Sequence, residues 1–78
     1  MKINKTFIKN LLIIQPQLFN DNRGYFFESY NEKEFKEVIG NVSFVQDNES
    51  KSSKGVVRGL HFQNPPFDQV KLVRCVSG

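Results

Sequence analysis

A mainly β domain with one short helix is the architecture these 78 residues predict. Phenylalanine occurs eight times, and Val, Ile and Tyr fill short runs broken by Asn, Asp, Gly and Pro. β-branched and aromatic runs between turn formers read as strands. A single stretch carries helical signals instead, and strands joined by turns around one helix make a mainly β domain.

Residues 5–14 read as one or two short strands, ended by Gln15-Pro16. Asn20-Asp21-Asn22-Arg23-Gly24 is a turn, with Gly24 suited to a positive φ. Residues 24–30 alternate as a strand: Tyr25, Phe27 and Ser29 share one face, and Phe26, Glu28 and Tyr30 the other. The helix is expected over 32–39, capped by Asn31 with Glu34 three residues on, and stopped by Gly40. Phe35, Val38 and Ile39 form its apolar face, leaving Lys33, Lys36 and Glu37 to solvent.

Strand character resumes over 42–48, with Val42, Phe44, Gln46 and Asn48 on one face. A loop at 49–55 leads to a strand over 56–63 and the turn Asn64-Pro65-Pro66-Phe67-Asp68. A last strand covers 69–76, in which Cys75 is expected to be a buried small hydrophobe. The closing Ser77-Gly78 is a turn signal that normally leads into another strand. A sheet stopping there leaves edges unpaired, so the chain reads as a fragment.

Composition excludes several classes. The lone cysteine rules out an internal disulfide and fits a reducing compartment. Residues 11–14 are far short of the ~20 apolar residues of a spanning helix, and no signal-peptide pattern precedes them, so a cytoplasmic protein without membrane attachment is expected. The net charge is +3, but the lysines (2, 5, 9, 33, 36, 51, 54 and 71) are scattered among Asp and Glu. No basic stripe forms, which argues against nucleic acid and favours a small anionic ligand.

One histidine and one cysteine cannot supply the three or four ligands of a metal site. No nucleophile elbow and no Gly-rich phosphate loop occurs. Proton transfer remains, because an imidazole with a pKa of roughly 6.5 accepts and returns protons near neutrality. His61 lies between Leu60 and Phe62; strand context alone suits a structural histidine as well as a base. On the next predicted strand Gln69, Lys71, Val73 and Cys75 share a face, so Lys71 can point from a hairpin partner toward His61. A base beside a cation suits enolisation: one removes a proton α to a carbonyl, the other stabilises the oxyanion. Lys71 serves equally well as a solvated edge charge.

Five further residues are candidates. Glu28 sits on an aromatic face, Gln46 and Asn48 offer two amides, and Arg23 and Arg58 suit a diphosphate through charge-assisted hydrogen bonds. Each taken singly also fits an ordinary surface position. Strict alternation puts Arg58 and His61 on opposite faces, so a shared ligand requires a bulge or bend at Gly59, or Arg58 reaching in from a rim or across a subunit boundary.

Four blocks occur in order: Asp21-Asn22-Arg23-Gly24-Tyr25-Phe26-Phe27-Glu28, Phe44-Val45-Gln46-Asp47-Asn48, Val57-Arg58-Gly59-Leu60-His61-Phe62-Gln63, and Lys71-Leu72-Val73-Arg74. Together they make the chain resemble the N-terminal portion of the dTDP-4-dehydrorhamnose 3,5-epimerases. The resemblance implies a cupin-type jelly roll (double-stranded β-helix) and a homodimer that exchanges strands. It implies epimerisation at C3 and C5 of dTDP-4-dehydro-6-deoxy-D-glucose, with neither metal nor redox cofactor. Matched by motif, His61 is the proton acceptor and Lys71 the cation at the keto oxygen. Arg23, Glu28, Gln46, Asp47, Asn48 and Arg58 match substrate-contacting positions. The family's later part supplies a tyrosine donor and an aspartate paired with the histidine; neither is identified in these residues, so the chain by itself is expected to be inactive. Two alternatives stand beside this reading: a related 3-epimerase or ketoisomerase, and a non-catalytic β module that binds a nucleotide sugar or assembles with partners.

Overall fold

The structure, a computed structural model, describes residues 1–66 and 69–78, so part of the turn expected at 64–68 lies outside the described residues. It comprises two units, Met1–Asn41 and Val42–Gly78. Among the described residues regular structure consists of four short strands and one helix, all in the first unit.

Strands β1 (Lys2–Lys5) and β2 (Leu12–Gln15) form an antiparallel hairpin in which Ile3 faces Ile14 and Lys5 faces Leu12. Leu12 and Ile14 are half-buried while Ile13 and Gln15 are exposed, the period-2 pattern of a one-sided ribbon. The pair starts earlier than residue 5 and reaches Gln15, because residues 6–11 are spent on the connection. Thr6 closes that connection: its hydroxyl donates toward the carbonyls of Leu11 (2.9 Å) and Ile8 (3.1 Å), and accepts from the Ile8 N–H (3.2 Å). Asn10 takes a positive φ of 67°, which asparagine tolerates better than most residues.

Strands β3 (Phe19–Asp21) and β4 (Gly24–Phe26) form a second hairpin around Asn22-Arg23, with Asp21 opposite Gly24 and Phe19 opposite Phe26. Gly24 adopts φ 133°, as the turn chemistry requires. The strand expected over 24–30 therefore ends at Phe26. Its continuation would pair Phe27 with Leu18, where the chain is still recovering from the Gln15-Pro16 break and no ladder forms. The predicted face survives in part, since the rings of Tyr25 and Phe27 stack with centroids 5.9 Å apart.

Helix α1 (Glu32–Ile39) has the expected limits. Asn31 is extended, its Oδ1 accepts from the Glu34 N–H at 3.1 Å, and its carbonyl takes the first helical bond from Phe35. Gly40, at φ 86°, donates to the Lys36 carbonyl and ends the helix. Phe35 is 4% exposed, the one buried apolar side chain among the described residues, and Tyr30 meets its ring edge-on at 4.9 Å. Val38 and Ile39 are half-buried beside it in the sequence. Lys36, expected in solvent, is half-buried and pairs with Glu32 at 2.7 Å; that contact holds the Glu32 carboxyl below, and the Lys36 ammonium above, its ordinary pKa. Asn31→Ala in the full-length protein is expected to cost about 1 kcal/mol, the usual worth of such a cap. Urea unfolding checks this: the midpoint should fall with the m-value unchanged.

In the second unit the strands expected over 42–48, 56–63 and 69–76 do not form among the described residues. A strand is defined by its hydrogen-bonded neighbour, and no strand pairing forms among the described residues of this unit. Alternation persists without pairing at its start: Val42 and Phe44 are half-buried, Ser43 and Val45 exposed. Cys75 is exposed rather than buried, its Sγ 3.4 Å from the Ser77 carbonyl, because no partner strand covers its run.

Candidate functional site

The first unit holds Arg23 and Glu28. Arg23 projects from the β3–β4 turn with its side chain 87% exposed, but it is not loose. Asp21 Oδ1 accepts from the Arg23 backbone N–H at 2.8 Å, while Oδ2 accepts from Nη2 at 2.6 Å and Nε at 3.2 Å. The Arg23 side-chain hydrogen bond, then its backbone N–H, lower the Asp21 pKa, and the same carboxylate raises that of Arg23. Sequence reasoning gave Asp21 no role of its own, although an Asp two residues before an Arg in a turn is a legible signal for a local bridge. Glu28 is exposed and lies outside any strand.

The second unit holds the remaining candidates. His61 and Lys71 line one open concavity of about 520 Å³ together with Phe62, Gln63 and Gln69. Gln63 lies two residues after His61 and Gln69 two before Lys71. Strand alternation does not account for the set, because the adjacent Phe62 lines the concavity too and neither segment is a strand. Gly59 has φ 130°, and a Cβ built there would stand 3.9 Å from His61 Nδ1. The backbone thus departs from regular extension between Arg58 and His61.

Gln46 and Asn48 are brought together, the Gln46 Nε2 donating to the Asn48 Oδ1 at 3.3 Å, with exposed Asp47 between them. The arrangement leaves the Gln46 carbonyl and the Asn48 amide nitrogen for a ligand. Arg58 takes a different course: its Nη2 donates to the Lys51 carbonyl at 3.2 Å, anchoring the 49–55 loop.

Chemically, the concavity combines an imidazole, an ammonium and two amides. That set can accept a proton, stabilise a neighbouring oxyanion and orient hydroxyls. Among the described residues no cluster of three or more His, Cys, Asp or Glu could hold a metal ion, and no helix is long and apolar enough to cross a membrane.

Residues 5–78 match the protein family described as dTDP-4-dehydrorhamnose 3,5-epimerase. An enzyme of that name from Shigella flexneri is 57% identical over 79 aligned positions, covering 100% of this chain and 44% of the relative. The namesake from Salmonella typhimurium is also 57% identical, with 100% and 43% covered. A more distant relative from Streptomyces niveus, named dTDP-4-dehydrorhamnose 3-epimerase, is 39% identical, with 100% and 38% covered. No solved structure gives a significant match. The chain thus spans less than half the length of the relatives it matches, and within that span the match is nearly continuous. The chain belongs to the dTDP-4-dehydrorhamnose 3,5-epimerase family.

Proposed function

We propose that this chain is the N-terminal portion of a single cupin-like domain whose full-length protein epimerises dTDP-4-dehydro-6-deoxy-D-glucose at C3 and C5, yielding dTDP-4-dehydro-L-rhamnose. The observation that carries the reading is His61 and Lys71 lining one concavity within a family-wide match. The ketone at C4 acidifies the C–H bonds on both sides. His61 removes the proton, the electron pair moves into the C4–O bond, and the Lys71 ammonium stabilises the enolate oxygen. Return of a proton to the opposite face inverts the centre, and a second enolisation on the other side of the ketone repeats the cycle. The donor for that return belongs to the part of the protein beyond these residues, so the chain alone is inactive. The substrate brings its own electron sink, so neither a metal nor a redox cofactor is needed.

Arg23 and Arg58 contact the diphosphate, and Glu28, Gln46, Asp47 and Asn48 complete the substrate contacts. The whole domain is a jelly roll, functions as a strand-exchanging homodimer, and works in the cytoplasm without nucleic acid or membrane. In deuterated buffer the full-length enzyme should place deuterium at both C3 and C5 of the 4-keto sugar nucleotide. Label at neither position sinks the proposal. Label at C3 alone selects the narrower reaction suggested by the name of the Streptomyces niveus relative. Lys71→Met is expected to lower kcat about a hundredfold, as loss of one oxyanion donor does, with inhibition by dTDP little changed. Steady-state kinetics would check this, and an unaltered kcat would remove Lys71 from the oxyanion site.

A further inference from the structure

Asp21 poses a problem of charge. If Arg23 holds a diphosphate, a carboxylate bonded to it weakens the attraction that the arginine exists to provide. Hydrogen-bond geometry suggests what is gained in exchange. The carboxylate is itself fixed, because Oδ1 accepts the Arg23 backbone N–H at 2.8 Å within a turn closed by the Asp21–Gly24 pair. Its other oxygen takes Nη2 at 2.6 Å and Nε at 3.2 Å, gripping one edge of the guanidinium plane. Of the five N–H groups on that plane, two are used and three remain, including both on Nη1. An arginine held in this way offers an ordered edge to solvent. A free arginine must surrender rotamer freedom when it binds.

We propose that Asp21 is a positioning residue for the nucleotide sugar: it fixes Arg23 across the β3–β4 turn so that the remaining N–H groups meet the diphosphate as one preorganised fork. The proposal rests on the reading of Arg23 as a diphosphate contact. Asp21 itself does not touch substrate; it acts through Arg23. A merely structural Asp21 would affect the turn and the stability of the hairpin, leaving no preference for one ligand over another. A positioning Asp21 affects ligands that carry the diphosphate and spares those that lack it.

The experiment uses the full-length protein with Asp21→Asn, Arg23→Gln and the double variant, probed with dTDP and with thymidine. Asp21→Asn is expected to weaken dTDP about tenfold and to raise KM by a similar factor, with kcat and thymidine binding within about twofold. Arg23→Gln should weaken dTDP at least as much, and the double variant should be no worse than Arg23→Gln, because the two residues act as one unit. Should Asp21→Asn fail to fold, Asp21→Glu keeps the charge but displaces the grip; it should weaken dTDP severalfold, and an unchanged affinity would overturn the role. A wild-type protein that binds no dTDP overturns the functional reading and this proposal together. If the wild type binds dTDP but Asp21→Asn binds it equally well or more tightly, or if the two substitutions simply add, only the positioning role falls.

Discussion

His61→Ala in the full-length protein should lower turnover by about 10²- to 10⁴-fold, the range usual for loss of a general acid–base. The size follows from what is left behind. The chain has one histidine, and among the described residues the rest of the concavity is a phenylalanine, two glutamines and a lysine. Neither an amide nor an ammonium accepts a proton from carbon near neutral pH. Binding of dTDP should be nearly unaffected, since His61 is not among the proposed nucleotide contacts. The informative readout is deuterium exchange at the two positions separately. One base serving both faces of the ketone requires exchange at C3 and C5 to fall together. Loss at one position with retention at the other would mean that a second base exists, and Glu28 and Asp47 would be the first to test. Persistence of both exchanges would remove His61 from catalysis.

What was legible in the sequence is what is local. The helix needs only its own residues: Asn31 reaches Glu34, Gly40 reaches Lys36, and both contacts span four residues or fewer. The positive φ at Gly24 and the stacking of Tyr25 on Phe27 are equally short-range. The strands over 42–48, 56–63 and 69–76 were expected from residue type and alternation, but pairing is a property of two segments, and composition describes one at a time. That is why Val42 and Phe44 keep their alternating burial while no ladder forms. The same distinction divides the site. His61 and Lys71 line one concavity although the hairpin expected to bring them together does not form among the described residues, and Gln46 meets Asn48 two residues away. The Arg58 contact with the Lys51 carbonyl depends on the path of a seven-residue loop, which no periodicity encodes. Asp21 is local too: its contacts with Arg23 span two residues, and the Asp-x-Arg spacing in a turn is their signal.

The 78 residues taken as an isolated polypeptide should show no cooperative unfolding. Ordering a residue's backbone costs about 1–2 kcal/mol, whereas burying one phenylalanine returns about 1.5–3 kcal/mol, so Phe35 offsets only a residue or two of order. Neither secondary-structure type rescues the balance. An eight-residue helix is below the ~12–15 residues at which even good helix formers become marginal in water, and isolated two-stranded hairpins are marginal at best. Meanwhile Phe7 is 98% exposed and Val45 92%, apolar surface that a stable domain would cover. The expected result for the isolated polypeptide is a far-ultraviolet circular dichroism signal dominated by coil and a melt without a sigmoidal step. Amide exchange should be complete within minutes except around α1, where the cap and the Tyr30–Phe35 contact give the most local protection. The full-length protein should melt in one sharp transition under the same buffer. A sharp transition from the isolated chain would mean that these residues bury far more than Phe35, and would also reopen the possibility that the site's strands pair without the rest of the domain.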